Sequence, residues 1–372
     1  MKKNEPYKGF EQGPIRPPSE SGSLLIRVTR NCPWNRCTFC SLYKDTKFSL
    51  RPVSHVLKDI DLIRKYVERI KNGDTTYSQT SQGDDMAFYA ALTWVRNGMK
   101  SVFLQDSNSL IIKPDDLVTI LQYLADAFPE IERLTSYARS HTIARISDQD
   151  LGRMAAAGLN RIHVGMESAL DKVLPLVKKG TDKAMQIRAG RKVKKAGMQL
   201  SEYFIPGLGG RVLSREHALE TAAALNQINP DFIRLRTLAA PTDVELFKDS
   251  SAGTFEPMND IEVAEEILLF IESLKGITST VKSDHIVNLL QEVEGTMPGD
   301  KEQMTGVIKR FLSMGIEEQR LYQVGRRTGI FSRLEDLNDP ELRKYAEGKF
   351  SDLNITPQNI DHIVARFMRR FI

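Results

Sequence analysis

Leu24-Leu25-Ile26-Arg27-Val28-Thr29-Arg30-Asn31-Cys32-Pro33-Trp34-Asn35-Arg36-Cys37-Thr38-Phe39-Cys40 joins an apolar run to all three cysteines of a 372-residue chain. The run Leu24 to Thr29 reads as a buried strand that hands the chain directly to a cysteine loop. Thiols this close together, with none elsewhere to pair with, make a poor disulfide framework and point to metal ligation in a reducing compartment. A structural zinc site needs four N or S ligands. No fourth Cys exists, and His55, the nearest histidine, lies beyond a turn and a helix start. Soft thiolates suit an iron-sulfur cluster, and three Cys on a four-iron cluster leave one iron without a protein ligand. Three reduced thiols without metal are the alternative, which their close spacing disfavours.

Outward from this stretch the chain is regular. Residues 1 to 22, with Pro6, Pro14, Pro17 and Pro18, read as an extended N-terminal arm that packs on the rest. Ser54 is a candidate N-cap for a helix to about Lys71, and 74 to 83 reads as a loop placed to cover a site. From Ser101 onward strands and helices alternate: strand SVFLQ, helix 114–128, strand RLTSYA, helix 147–157, strand RIHVGM, helix 181–196, strand QLSEYFI, helix 214–226, strand FIRLRTL, helix 259–274, strand TSTVKS. That rhythm predicts parallel βαβ units, compatible with a closed barrel, a partial barrel or an open doubly wound sheet. Beyond about 285 only helical patterns follow, over 300–313 and 359–371, and Val324 to Gly329 reads as a solvated turn, with a contact to an anionic substrate or neighbouring subunit as the alternative.

Composition narrows the class. A hydrophobic content of 41% and a charged content of 27% fit a soluble globular protein, and no apolar run approaches a membrane span of about 18 to 20 residues. The N-terminus lacks an export-type apolar segment, so the expected location is the cytoplasm. A net charge of +4 without a strong Lys/Arg block argues against nucleic acid as a partner and for no membrane partner.

The cysteine stretch resembles the radical S-adenosylmethionine (SAM) superfamily, more narrowly its coproporphyrinogen dehydrogenase and Elongator-type branch. The superfamily spacing is C-x3-C-x2-C, whereas Cys32, Cys37 and Cys40 give C-x4-C-x2-C, one residue longer before Cys37. The resemblance spans roughly 23 to 285. It implies an α/β fold: a partial (β/α)6 TIM-like barrel over 23–285, with the extended arm over 1–22 and a small C-terminal helical domain over 286–372. It also implies a [4Fe-4S] cluster on Cys32, Cys37 and Cys40, SAM on the open iron, and a reducing electron donor such as flavodoxin or ferredoxin.

SAM-site candidates follow from the same resemblance, residue by residue. Phe39 matches the aromatic before the third Cys, near the adenine. Gln105 and Asp106 stand where the superfamily has a Gly-Gly-Glu-type turn for the SAM amino group; an ordinary turn is the alternative. Arg139, in Ser136-Tyr137-Ala138-Arg139, suits a carboxylate, or else a rim ion pair. Gly165-Met166-Glu167-Ser168 resembles the G-x-E-S segment, with Glu167 on the ribose hydroxyls and Lys179 on the methionine carboxylate. Ile205, before Pro206-Gly207-Leu208-Gly209-Gly210, is an adenine candidate and Glu202 a ribose candidate. His163 reads as a hydrogen-bonded core residue. Arg234 and Arg236 alternate on the sixth strand, aimed inward or paired at its mouth.

The implied function is an enzyme that cleaves SAM reductively to a 5′-deoxyadenosyl radical, which abstracts hydrogen from a substrate carbon. With no Cys left for auxiliary clusters, the expected substrate is a small molecule; no individual catalytic residue stands out. A heme-binding chaperone of the same superfamily and a tRNA- or rRNA-modifying enzyme are the alternatives.

Overall fold

The computed structural model describes residues 5–76, 84–239, 244–251 and 255–369. Residues 77–83 of the expected covering loop lie outside them. The strands are β1 (Leu24–Arg27), β2 (Thr29–Arg30), β3 (Ser49–Leu50), β4 (Ser101–Gln105), β5 (Arg133–Ala138), β6 (Leu159–Glu167), β7 (Gln199–Phe204), β8 (Phe232–Leu235), β9 (Thr280–Lys282) and β10 (Gly295–Thr296). The helices are α1 (Val53–Lys71), α2 (Asp84–Arg96), α3 (Pro114–Ala127), α4 (Ser140–Ile143), α5 (Asp148–Ala156), α6 (Val173–Leu176) and α7 (Lys183–Lys195). They continue with α8 (Gly210–Ile228), α9 (Glu245–Ser251), α10 (Asp260–Ser273), α11 (Lys301–Ser313), α12 (Ile316–Arg327), α13 (Pro340–Asp352) and α14 (Ile360–Met368). Eight strands belong to one mostly parallel sheet, with β2 and β3 forming a separate antiparallel pair. The fold is α/β and of the partial-barrel class.

The chain divides into two compact units. The first comprises Met1–Asn35, Tyr43–Gly165 and Arg188–Leu200; the second comprises Arg36–Leu42, Met166–Ile187 and Ser201–Ile372.

In the first unit β1, β4, β5 and β6 pair in parallel in that order. Leu24 stands opposite Val102 and Ile26 opposite Leu104, all buried, as expected for strands covered on both faces. Helix α1 buries Val56, Ile60, Ile63, Val67 and Ile70, a stripe at helical spacing. Ser54 is not its cap. The helix begins at Val53 after Pro52, whose φ of −56° already suits the helical entry, and no side chain caps it. Residues 5–17 of the arm have no regular structure, and Pro18–Glu20 forms one 3-10 turn. Glu20 is fully buried; its carboxylate lies 3.5 Å from His163 Nε2 and accepts from Ser23 Oγ at 2.6 Å. Burial alone would raise its pKa, but those partners and Arg133 hold it below the usual value. His163 is thus a hydrogen-bonded core residue.

In the second unit β7, β8 and β9 pair in parallel and β10 adds antiparallel to β9. Phe204 of β7 stacks on Phe270 of α10 with centroids 4.3 Å apart. Helix α10 starts with a capping box in which Asn259 and Glu262 exchange side chain to backbone hydrogen bonds. Helices α11 to α14 supply the C-terminal helical part. Val324 to Gly329 is not a solvated turn: it is mainly the last turn of α12, and Arg326 and Arg327 are buried there. Arg327 pairs with Asp260 and donates to the Val287 carbonyl, which satisfies a guanidinium taken out of water. Gly325 admits this packing, since a Cβ there would lie 2.1 Å from the Phe331 ring.

Candidate functional site

Strand β1 and the short β2 deliver the chain to Asn31, a left-handed residue with φ of 66°, immediately before Cys32. Cys32 belongs to the first unit, and Cys37 and Cys40 to the second. None of the three is in a disulfide, and all are of intermediate burial. The Asn35 amide donates to Cys32 Sγ at 3.4 Å. The turn Cys37 to Cys40 is held through Thr38, whose N–H donates to the Val177 carbonyl at 3.1 Å and whose carbonyl accepts from Leu246 N at 3.1 Å. Among the described residues no three Cys, His, Asp or Glu side chains are gathered as a metal cage. The donor set nevertheless suits a sulfur-loving metal: soft, unbridged thiols on loop backbone, one already facing an amide N–H.

Of the first-unit candidates, Gln105 ends β4 and Asp106 follows it, and both are fully buried. Gln105 Oε1 accepts from Gly13 N at 2.8 Å, and its Nε2 donates to the carbonyls of Gly13, at 3.0 Å, and of Ile15. Its amide is therefore engaged with the N-terminal arm. Asp106 Oδ2 accepts from Arg27 Nε at 2.9 Å, Arg27 Nη2 at 2.6 Å and Asn31 N at 3.1 Å. Arg139, just after β5, lies with its guanidinium 4.7 Å from the centroid of Trp34, a cation-π contact to the cysteine loop.

In the second unit the structure brings a larger set together. Lys179 Nζ lies 3.2 Å from Glu167 Oε1 and 5.8 Å from the centroid of Phe39. Ile205 N donates to the Glu167 carbonyl at 3.0 Å. Ile205 is buried in a cluster with Leu170, Val173, Val177 and Leu208, against which Phe39 packs. Ser168 is buried, and its Oγ accepts from Leu170 N at 3.1 Å, so it shapes the turn after Glu167.

Glu202 is almost wholly buried. Burial pushes its carboxyl well above the usual carboxylate range, the Glu167 charge adds to the rise, and Lys179 opposes it. Glu167 Oε2 and Glu202 Oε2 are both buried without a hydrogen-bond partner. Orphaned oxygens beside an apolar, aromatic-edged patch and an ammonium match what SAM would need for the two hydroxyls of its adenosyl group and the carboxylate of its methionine part.

Glu202 also supplies a pH test. Folding makes this carboxyl easier to protonate, so the stability it contributes is full below its ordinary value of 4.5 and is lost as pH rises through its folded value. We expect Glu202→Gln, which keeps the shape without the charge, to flatten the fall in denaturation free energy that the parent shows as pH rises above 4.5, and to exceed the parent in stability once that fall is complete. Parallel profiles for the two proteins would remove Glu202 as the source.

Sequence reasoning missed the Asn31–Asp106 bond, the Trp34–Arg139 contact and the buried His217–Glu266 pair. In the last, Glu266 Oε1 accepts from Gly207 N at 2.9 Å and lies 3.0 Å from His217 Nδ1, holding the glycine turn after β7. Helical periodicity marks positions 217 and 266 only as interior; their partnership depends on α8 meeting α10.

A family model described as the radical SAM superfamily matches residues 26–222. The chain belongs to the radical SAM superfamily, a class of enzymes that use a [4Fe-4S] cluster and SAM. A curated relative, the tRNA uridine(34) acetyltransferase of Methanocaldococcus infernus, is 23% identical over 129 residues, covering 34% of this chain and 24% of that protein. The chain thus matches about a quarter of that relative's length. Among solved structures, the Methanocaldococcus infernus Elp3 with an N-terminal deletion aligns at 17% identity and TM-score 0.43, covering 54% of this chain and 53% of that one. Coproporphyrinogen III oxidase (HemN) from Escherichia coli aligns at 12% identity and TM-score 0.41, covering 89% and 80%. No helix among the described residues is long and apolar enough to cross a membrane.

Proposed function

We propose that this protein cleaves SAM reductively with a single [4Fe-4S] cluster held by Cys32, Cys37 and Cys40, and uses the resulting radical on a small-molecule substrate. The single observation that carries this is the second-unit cluster of Phe39, Glu167, Lys179, Glu202 and Ile205 on the same chain as a three-thiol loop. Held by Cys32, Cys37 and Cys40, a reduced [4Fe-4S] cluster would supply the one electron for reductive cleavage of SAM to methionine and a 5′-deoxyadenosyl radical, the species that would abstract hydrogen from substrate.

The chain's own residues do the rest. Glu167 accepts from ribose hydroxyls, and Glu202, whose burial favours the protonated form, lies beside it as a second ribose contact. Lys179 supplies a carboxylate partner, while Phe39 and Ile205 flank the adenine with apolar surface that excludes water. Gln105, Asp106 and Arg139 remain proposed for the polar end of SAM. For Gln105 and Asp106 this means contact through backbone, because their side chains already hold the arm and the cysteine loop. We place the protein in the cytoplasm with a flavodoxin- or ferredoxin-type reductant. The domain division proposed is an arm over 1–22, a partial barrel over 23–285 and a helical domain over 286–372.

RNA is the second reading, favoured by the curated relative named for tRNA; the expectation against nucleic acid gains no support from it. On the side of a small molecule, three of the six cations of helix α7 are matched by acids: Lys192 and Lys195 pair with Asp148, and Lys183 with Glu220. Two measurements test these readings. Anaerobically reconstituted and reduced protein given SAM should yield 5′-deoxyadenosine by mass spectrometry; a protein that assembles no four-iron cluster would overturn the proposal. Binding to bulk tRNA should be weak and nearly flat in salt. A log-log salt slope steeper than about −3, the mark of several phosphate contacts, would replace the small-molecule reading with RNA.

A further inference from the structure

We infer that Asp106 is a positioning residue for Cys32, and that Gly13 of the N-terminal arm is what allows Asp106 to serve. The inference rests on Cys32 being a cluster ligand, as proposed above, but its geometry lies wholly within the first unit.

The peptide that precedes Cys32 is gripped at Asn31 on every polar group. Its N–H donates to Asp106 Oδ2 at 3.1 Å, its carbonyl accepts from Ser107 Oγ at 3.2 Å, and its side-chain Nδ2 donates to the Lys47 carbonyl at 2.7 Å. Asn31 sits at φ of 66°, a left-handed conformation that asparagine tolerates better than most side chains and that these hydrogen bonds hold in place. Asp106 is the centre of that hold, because the oxygen that takes the Asn31 amide also takes two Arg27 nitrogens, at 2.9 and 2.6 Å. The carboxylate is fully buried, so it has no water to fall back on. Arg27 is the last residue of β1 and Asp106 follows the last of β4, so the loop root is tied to the rigid ends of two paired strands.

The arm enters at the same carboxylate. A Cβ on Gly13 would lie 1.9 Å from Asp106 Oδ1, 2.6 Å from Cγ and 2.9 Å from Oδ2. No side chain fits there unless Asp106 moves. Gly13 cannot move aside instead, since Gln105 binds both its N–H and its carbonyl. The neighbouring Glu11 completes the arrangement by pairing with Arg27 at 3.3 Å, Arg30 at 2.7 Å and Arg51 at 2.7 Å. A residue nineteen positions before the first cysteine thereby controls how firmly that cysteine is presented.

The test uses the full chain without metal, in a Cys37→Ser, Cys40→Ser background where Cys32 is the sole thiol. Iodoacetamide labelling of Cys32 and hydrogen exchange at the Asn31 amide are the readouts. Gly13→Ala and Asp106→Ala should each speed both by about 5-fold or more, the factor for losing one hydrogen bond. Arg327→Ala, a destabilising change in the other unit, should leave both unchanged, which separates positioning from general loss of stability. Should Gly13→Ala fail to fold, Asp106→Asn, which keeps the shape, carries the same readouts. Folded variants whose Cys32 labelling stays within about 2-fold of background would overturn the inference. Altered labelling in a chain whose parent forms no cluster would leave the positioning standing and remove the cluster reading, so the two fail separately.

Discussion

Cys37→Ala, reconstituted anaerobically with iron and sulfide, should lack the broad visible absorption of a four-iron cluster and form no 5′-deoxyadenosine from SAM. Cys32→Ala and Cys40→Ala should behave the same way, because the chain has three cysteines and no reserve thiol to take a vacated iron. Cys37 is the sharpest of the three. It follows the extra residue in the C-x4-C-x2-C spacing, and its turn is nonetheless fixed by Thr38 between the Val177 carbonyl and Leu246 N–H. Loss of the ligand should not unfold the protein, since those backbone bonds do not involve the thiol. A Cys37→Ala protein with an unchanged four-iron spectrum would take Cys37 out of the ligand set; unchanged 5′-deoxyadenosine yield would end the mechanism as proposed.

Glu167→Ala should weaken SAM binding while leaving cluster content as in the parent. A hydrogen bond to a charged group contributes about 1.5–3 kcal/mol, so the expected loss is roughly 10- to 150-fold in affinity. The effect divides into two parts. One is the ribose contact itself, carried by the buried and unpartnered Glu167 Oε2. The other is Lys179, which loses the carboxylate 3.2 Å away and is left half-buried near the Phe39 ring. Lys179→Met alone should cost affinity through the SAM carboxylate, and the double variant should lose less than the sum, because the two side chains share one ion pair. Equilibrium dialysis of SAM against cluster-loaded protein reads all three. Unchanged affinity in Glu167→Ala would move the ribose contact elsewhere, with Glu202 the next residue to substitute.

How much of this was legible before folding differs between elements. Strands 101–105 and 133–138 match their expected bounds, because short apolar runs between turn residues carry their own signal. The strand expected over 232–238 ends at Leu235 and that over 278–283 covers only Thr280–Lys282, since ladder pairing ends where the neighbouring strand does. Helix α8 runs from Gly210 to Ile228, beyond the 214–226 its pattern suggested, because the glycine turn itself winds into the helix. Arg326 and Arg327 misled for a chemical reason: a double arginine is normally solvated, and only Asp260, far away in sequence, allows one to be buried.

Local periodicity and residue chemistry by themselves determined the alternation of strands and helices and the placement of three thiols just after a strand, together with the family resemblance. These depend on neighbours within a few positions, and a chain states them directly. Tertiary structure decided what each polar side chain is for. It turned Gln105 and Asp106 toward the arm and the root of the cysteine loop, brought Lys179 between Glu167 and Phe39, and buried Glu202 until its carboxyl favours the proton. Each outcome depends on which distant segment arrives to desolvate or pair a charge, and that is a property of packing rather than of local sequence.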